Sequence, residues 1–257
     1  MQDDLVIPAA TLLSFLSVLT RFSGVFLFVP LPGGQAGPSP ARALLCLALT
    51  FAVAPQWPAV RGDTSVSALI MLLLSEAALG LTAGLAVSFI AEAFVFSAQV
   101  LSLQAGYGYA SIIDPTTQAD SGILLVVAQL LAGLMFFALG VEGQILRALA
   151  ESLRVYPPGS FSLTPELAGA VVKLASTVLN LGLRMALPIA GLMLLIDLSL
   201  AVLARLHAQV QLVQMSFPLK LLLCLGVLAA MLVVVRPLYE SSARLVVSFT
   251  QHALLRR

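Results

Sequence analysis

Apolar residues fall along this chain in long runs, and proline, glycine and clustered polar residues punctuate them. A helix needs about 20 apolar residues to cross a bilayer, so the run lengths and the breaks between them set the elements to expect. The first run extends from about Pro8 to Val29. It is ended by Pro30 to Pro40 (PLPGGQAGPSP), where neither proline nor glycine sustains a helix. The second, Ala41 to Ala54, is short and stops at PQWP, and the third, Val66 to about Leu103, is longer than one crossing requires. The fourth runs from Ile123 to Val141 and continues as a more polar helix to about Val155, where Pro157-Pro158-Gly159 breaks it. From Pro165 to Leu206 the pattern is continuous with Pro188 as an expected kink, which gives either two membrane-length helices or one long bent one. A polar interruption from Arg205 to Pro218 precedes a last run, Leu219 to Val235. The tail from Pro237 to Arg257 reads as an amphipathic helix bearing Arg244, Arg256 and Arg257. No repeat at a fixed period is visible.

This pattern predicts an all-α, polytopic helical membrane protein, and composition strengthens it: 60% of the 257 residues are hydrophobic, 10% are charged, and the mean hydropathy is +1.05. A net charge of +1 gives no reason to expect nucleic acid or a polyanionic substrate. Cys46 and Cys224 lie inside apolar runs and read as packing residues, not a disulfide framework. The acidic start, Met1-Gln2-Asp3-Asp4, is unlike the basic start of a secretory signal, so the first run is expected to be retained. Acidic N-terminus and arginine-bearing C-terminus point to opposite sides of the membrane. Runs that are too short or too long for a simple crossing suggest long kinked helices and helical hairpins shielded by other protein.

Chemistry-bearing residues are sparse. The third run carries Glu76, Gly80, Gly84, Ser88 and Glu92, a row of small or polar residues at every fourth position. Gly80 and Gly84 form a GxxxG pair that permits close helix packing, and a period-four row drifts around a helix of 3.6 residues per turn. Arg21, Glu76, Glu92, Glu142, Lys173, Arg184 and Asp197 are ionisable groups within apolar runs, each costly in hydrocarbon and so expected to face protein or water. His207 and His252 have no companions at metal-ligand spacing, and no metal or other cofactor is expected. ADSG, Ala119 to Gly122, lacks the first glycine of an intramembrane serine protease motif and has no placed histidine, so the chain is not expected to be an enzyme.

Between the third and fourth runs stands QAGYGYASIIDPTTQADSG, Gln104 to Gly122. Gly106 and Gly108 free the backbone, Tyr107 and Tyr109 supply bulky amphipathic rings, Ile112 and Ile113 form an apolar knob, and Pro115 stiffens the exit after Asp114. Two readings fit: an ordered obstruction projecting into a pore, or an aqueous connecting loop.

The order of these landmarks resembles the family of FliR, the flagellar export-gate membrane protein, and its type III secretion counterparts. The likeness rests on Arg21 with FVPLPGG, EAALGLTAG (Glu76 to Gly84), QAGYGYASIIDP, YPPG (Tyr156 to Gly159), Pro188 before LLIDLSLAVLAR, and FPLKLLL, so it covers nearly the whole chain. One departure lies in the late polar interruption: Arg205 and Gln209 match the family pattern, while Ala208 stands in a proline place and Gln211 in an asparagine place. The resemblance implies one domain over residues 1–257, with about 1–160 similar to FliP and about 161–257 similar to FliQ. It implies assembly with FliP-like and FliQ-like subunits, alongside FlhB- and FlhA-like components, into a gate of the bacterial inner membrane, at the flagellar basal body or an injectisome, that passes unfolded proteins. It also implies that Gly106 through Thr117 form a plug in the channel. A multi-pass solute transporter is the rival expectation; it would favour duplicated halves with matched helix breaks, which are not evident here.

Overall fold

The protein is described here from a computed structural model over residues 8–32, 39–59, 65–104 and 123–206, with isolated positions between 222 and 249. Every regular element among the described residues is helical. α1 (Ala9–Phe26) starts directly after Pro8. α2 (Pro40–Ala52) begins where Ser39 and Pro40 supply two start signals together: Pro40 occupies the first turn, and the Ser39 hydroxyl accepts from the Arg42 amide. A single 3-10 turn, Ala54–Gln56, follows at the PQWP break.

α3 (Val66–Gln104) is one helix of 39 residues, about 58 Å long. The run expected to be continuous from Ile123 to Val155 is instead two helices, α4 (Ile123–Ala138) and α5 (Val141–Val155), bent by 62°. The bend falls at Gly140, whose φ of +64° is a left-handed conformation that glycine adopts without steric cost. α5 differs from α4 in being amphipathic, burying Val141, Ile145, Ala148, Leu149 and Leu153 while Gln144, Arg147, Glu151 and Arg154 stay exposed. Of the two readings left open for Pro165 to Leu206, the structure has one helix, α6 (Pro165–Leu206), of 42 residues with Pro188 inside it. α3 and α6 are each long and apolar enough to cross a membrane, and α4 with α5 forms a third, bent candidate.

α3 is the central post. Going up α1, Arg21 meets Glu76, Gly24 meets Gly80 and Val25 meets Gly84, so α1 runs parallel to α3. α2 returns antiparallel: Arg42 at its start reaches the end of α1, while Trp57 and Pro58 beyond its end lie beside Phe15 and Ser14. α4 and α5 also descend, since Gly133 abuts Pro32 above α1 and Ser152 reaches Arg21 lower down. α6 climbs again, with Gly159 ahead of it against Leu72 and Gly182 against Ala93. The core between these helices is built from Val18, Phe22, Leu79, Ile90, Phe136 and Leu149, with Val246 from the C-terminal segment joining it.

Candidate functional site

Two of the ionisable residues within the apolar runs form one buried pair. Arg21 of α1 and Glu76 of α3 are both fully buried, and the Arg21 Nε–H donates to Glu76 Oε2 at 2.6 Å. A buried pair is tolerable only when the remaining donors and acceptors are also satisfied. Here they are. Arg21 donates from its two other nitrogens to the Ser152 hydroxyl (3.1 Å) and the Tyr156 carbonyl (3.0 Å), and Glu76 Oε1 accepts from the Gly159 amide (3.1 Å). One guanidinium and one carboxylate therefore fasten α1, α3, the end of α5 and the YPPG turn at a single point. Gly159 holds φ +81° in that turn, and Tyr156 packs edge-on to Phe161 at 5.9 Å.

Immediately above this clamp α1 and α3 touch backbone to backbone. A Cβ at Gly80 would run into the Arg21 carbonyl, one at Gly84 would lie 2.7 Å from the Gly24 carbonyl, and one at Gly24 would lie 2.8 Å from the Gly80 carbonyl carbon. The GxxxG pair thus meets a third glycine of the same chain. The period-four row turns as it climbs: Glu76, Gly80 and Gly84 are buried, Ser88 is half-buried and Glu92 is exposed. A similar contact joins α3 to α6, where a Cβ at Gly182 would lie 2.8 Å from the Ala93 carbonyl and the Ser97 hydroxyl donates to the Gly182 carbonyl at 2.8 Å.

The remaining sequence candidates are dispersed. Arg184 and Lys173 are exposed on α6, and Asp197 is half-buried there. Glu142, in the first turn of α5, keeps one buried carboxylate oxygen without a hydrogen-bond partner among the described residues. Gly106, Tyr107, Gly108, Tyr109, Ile112, Ile113, Asp114 and Pro115 lie outside the described residues. Among the described residues no cluster of His, Cys, Asp or Glu could hold a metal ion.

Sequence reasoning passed over Arg42, Gly24, Gly133 and Gly182. Arg42 is buried and donates to the Phe26 and Leu27 carbonyls, satisfying the open C-terminal end of α1. Its signal was faint: one arginine in the first turn of a short apolar helix. Gly24 was legible as the residue one turn above Arg21, on the face that Arg21 already marked as facing protein.

Membrane-length helices, a buried charged clamp and glycine-mediated crossings define a polytopic helical membrane protein. The family is narrower. Residues 12–245 match the bacterial export proteins, family 1, and the chain belongs to that family. It is 26% identical over 224 residues to the flagellar biosynthetic protein FliR of Escherichia coli (strain K12), covering 86% of this chain and 85% of that protein. Over 201 residues it is 29% identical to the FliR of Aquifex aeolicus (strain VF5), covering 76% of each chain. Identity to the FliR of Bacillus subtilis (strain 168) is 24% over 243 residues, covering 88% and 90%.

Proposed function

We propose that the chain is a non-enzymatic channel subunit of a flagellar protein export gate in the bacterial inner membrane, where it assembles with FliP-like and FliQ-like subunits and passes unfolded proteins. The observation that carries this reading is the family match from residue 12 to residue 245, joined by relatives that are flagellar biosynthetic proteins. Those names favour a flagellar gate over an injectisome one. FlhB- and FlhA-like components belong to the same reading as neighbours of the gate. A FliP-like part over about 1–160 and a FliQ-like part over about 161–257 fit a boundary at the clamped YPPG turn, after which α6 begins a new long helix. Within the reading, Gly106 through Thr117 plug the channel, with Tyr107, Tyr109, Ile112 and Ile113 as the closing side chains.

The charged clamp and the glycine seam suit such a subunit. Both fix helix register inside the chain through groups that require no solvent, so the outer faces of α3 and α6 are left for contacts beyond it. Co-expression of the tagged chain with FliP- and FliQ-like proteins, followed by detergent extraction and native gel, tests the proposal. Recovery of all three together is expected. Recovery of the chain as a self-sufficient, solute-binding unit would replace the gate with a transporter.

A further inference from the structure

The outer face of α6 changes character partway along. The seam that packs inward, Leu174, Val178, Gly182, Ala186 and Met193, is buried. At 100° per residue, the opposite side of the helix carries Lys173, Ser176, Thr177, Asn180 and Arg184, and all five are exposed. The Ser176 and Thr177 hydroxyls donate to the Lys173 carbonyl, so the outward chemistry of the strip is two cations with an amide between them. Past Arg184 the same face becomes apolar, with Leu187, Leu194, Leu195 and Leu198 exposed.

Two ordinary environments fail to account for this strip. Acyl chains are excluded by the cost of placing Lys173 and Arg184 in hydrocarbon. A lipid headgroup layer is excluded by shape and height. The strip runs along the helix axis for about 16 Å, whereas each headgroup region is only about 5–8 Å thick, and exposed Val172, Leu179 and Leu183 flank it. Lys173 lies nine residues before Gly182, and Gly84 nine before Ala93, so Lys173 is level with Gly84 on the parallel α3. The end of α1, the start of α2 and Gly133 of α4 stand near the same height, where Leu44 and Leu134 are exposed. A headgroup band there would wet those leucines as well.

We infer that the strip from Lys173 to Arg184 is a docking face for a membrane helix of a partner subunit that carries carboxylates, spaced to meet the two cations about three turns apart. Charge complementarity selects the occupant: the strip presents no acid of its own, and a carboxylate-bearing helix would neutralise both cations while its apolar residues covered Leu179 and Leu183. The inference rests on the gate reading, of which it names one partner surface.

The test uses the full chain with Cys46→Ala and Cys224→Ala, into which Ser176→Cys or Asn180→Cys is placed, expressed with and without the partner subunits. A water-soluble maleimide is expected to label either cysteine in the chain alone and about tenfold less in the assembled complex. Lys173→Glu with Arg184→Glu is expected to lower recovery of the complex about tenfold or more. Lys173→Gln with Arg184→Gln should lower it less, and a partner acid changed to Lys should restore the reversed variant. Trp57 fluorescence of each variant reports whether the α1–α2 region remains folded. The inference is overturned by wild-type recovery of the reversed variant, by a lipid-phase reagent reaching the cysteines in the assembled complex, or by equal aqueous labelling with and without partners, which would make the face water-lined. The gate reading fails separately, if the wild-type chain recovers no FliP- or FliQ-like protein while the strip labelling is read in the same membranes.

Discussion

Arg21 has three of its nitrogens engaged by three different segments, so the residue acts as a joint between them. Removing one member of a buried pair leaves the other charge uncompensated, which costs roughly 3–5 kcal/mol, whereas replacing both by apolar groups costs far less. Arg21→Met and Glu76→Leu are each expected to destabilise the chain by an amount of that order. Arg21→Met/Glu76→Leu is expected to be no less stable than either single variant, although the Tyr156 carbonyl and Gly159 amide lose their partners. Thermal unfolding in detergent, followed by fluorescence of Trp57 against Phe15 and Phe51, measures the cycle. Additive effects in that cycle would show that the two residues do not act as a unit.

The backbone-to-backbone helix contacts described for this molecule are made at glycines, and the glycines divide into those that sit at such a contact and those that do not. Gly80→Ala is expected to push α1 away from α3 and lower the melting temperature, because the new methyl meets the Arg21 backbone, which has no rotamer to escape by. Gly143→Ala has open space around it inside α5 and is expected to stabilise by about 0.5–1 kcal/mol through helix propensity alone. The two substitutions are chemically identical, so opposite signs in one unfolding assay would isolate packing from propensity. Gly140→Ala has equally open space but a left-handed backbone, and is expected to destabilise by about 1–2 kcal/mol or straighten the α4–α5 bend. A distance measurement between spin labels at exposed Leu130 and Glu151 distinguishes those two responses.

At the scale of the whole molecule, each long helix exceeds one bilayer crossing, and polar and apolar outer faces occur at one height. α6 is 42 residues long, about 63 Å, roughly twice the hydrocarbon thickness. Such a chain is suited to an assembly in which neighbouring protein replaces lipid on some sides. If residues 106–117 close a channel in that assembly, deleting them is expected to leave complex recovery unchanged while raising membrane conductance. Bulkier residues at Gly106 and Gly108 are expected to slow export by stiffening the base of the loop. Conductance and secreted flagellar protein are measured in the same strains. A tight membrane around an assembled, loop-deleted complex would reduce the segment to a connector.

Helix existence was legible in the sequence because apolar run length and Pro/Gly punctuation are local properties, and Ser39-Pro40 marked the start of α2 to within a residue. The inward orientation of Arg21 and Glu76 was legible too, since hydrocarbon would reject either residue. Their pairing was not, because it depends on α1 and α3 running parallel at one register, and nothing local to either helix specifies the other's height. The bend at Gly140 escaped for a related reason: glycine is tolerated in a straight helix, and only the surrounding packing selected its left-handed conformation. The drift of the period-four row followed from helix geometry alone, but its meaning did not. Glu76 became a clamp and Glu92 an exposed acid because tertiary packing placed α1 against the face of α3 that carries Glu76 and left the face that carries Glu92 uncovered. Composition determined that these helices belong in a membrane; the distances between backbones decided which polar groups they could bury together.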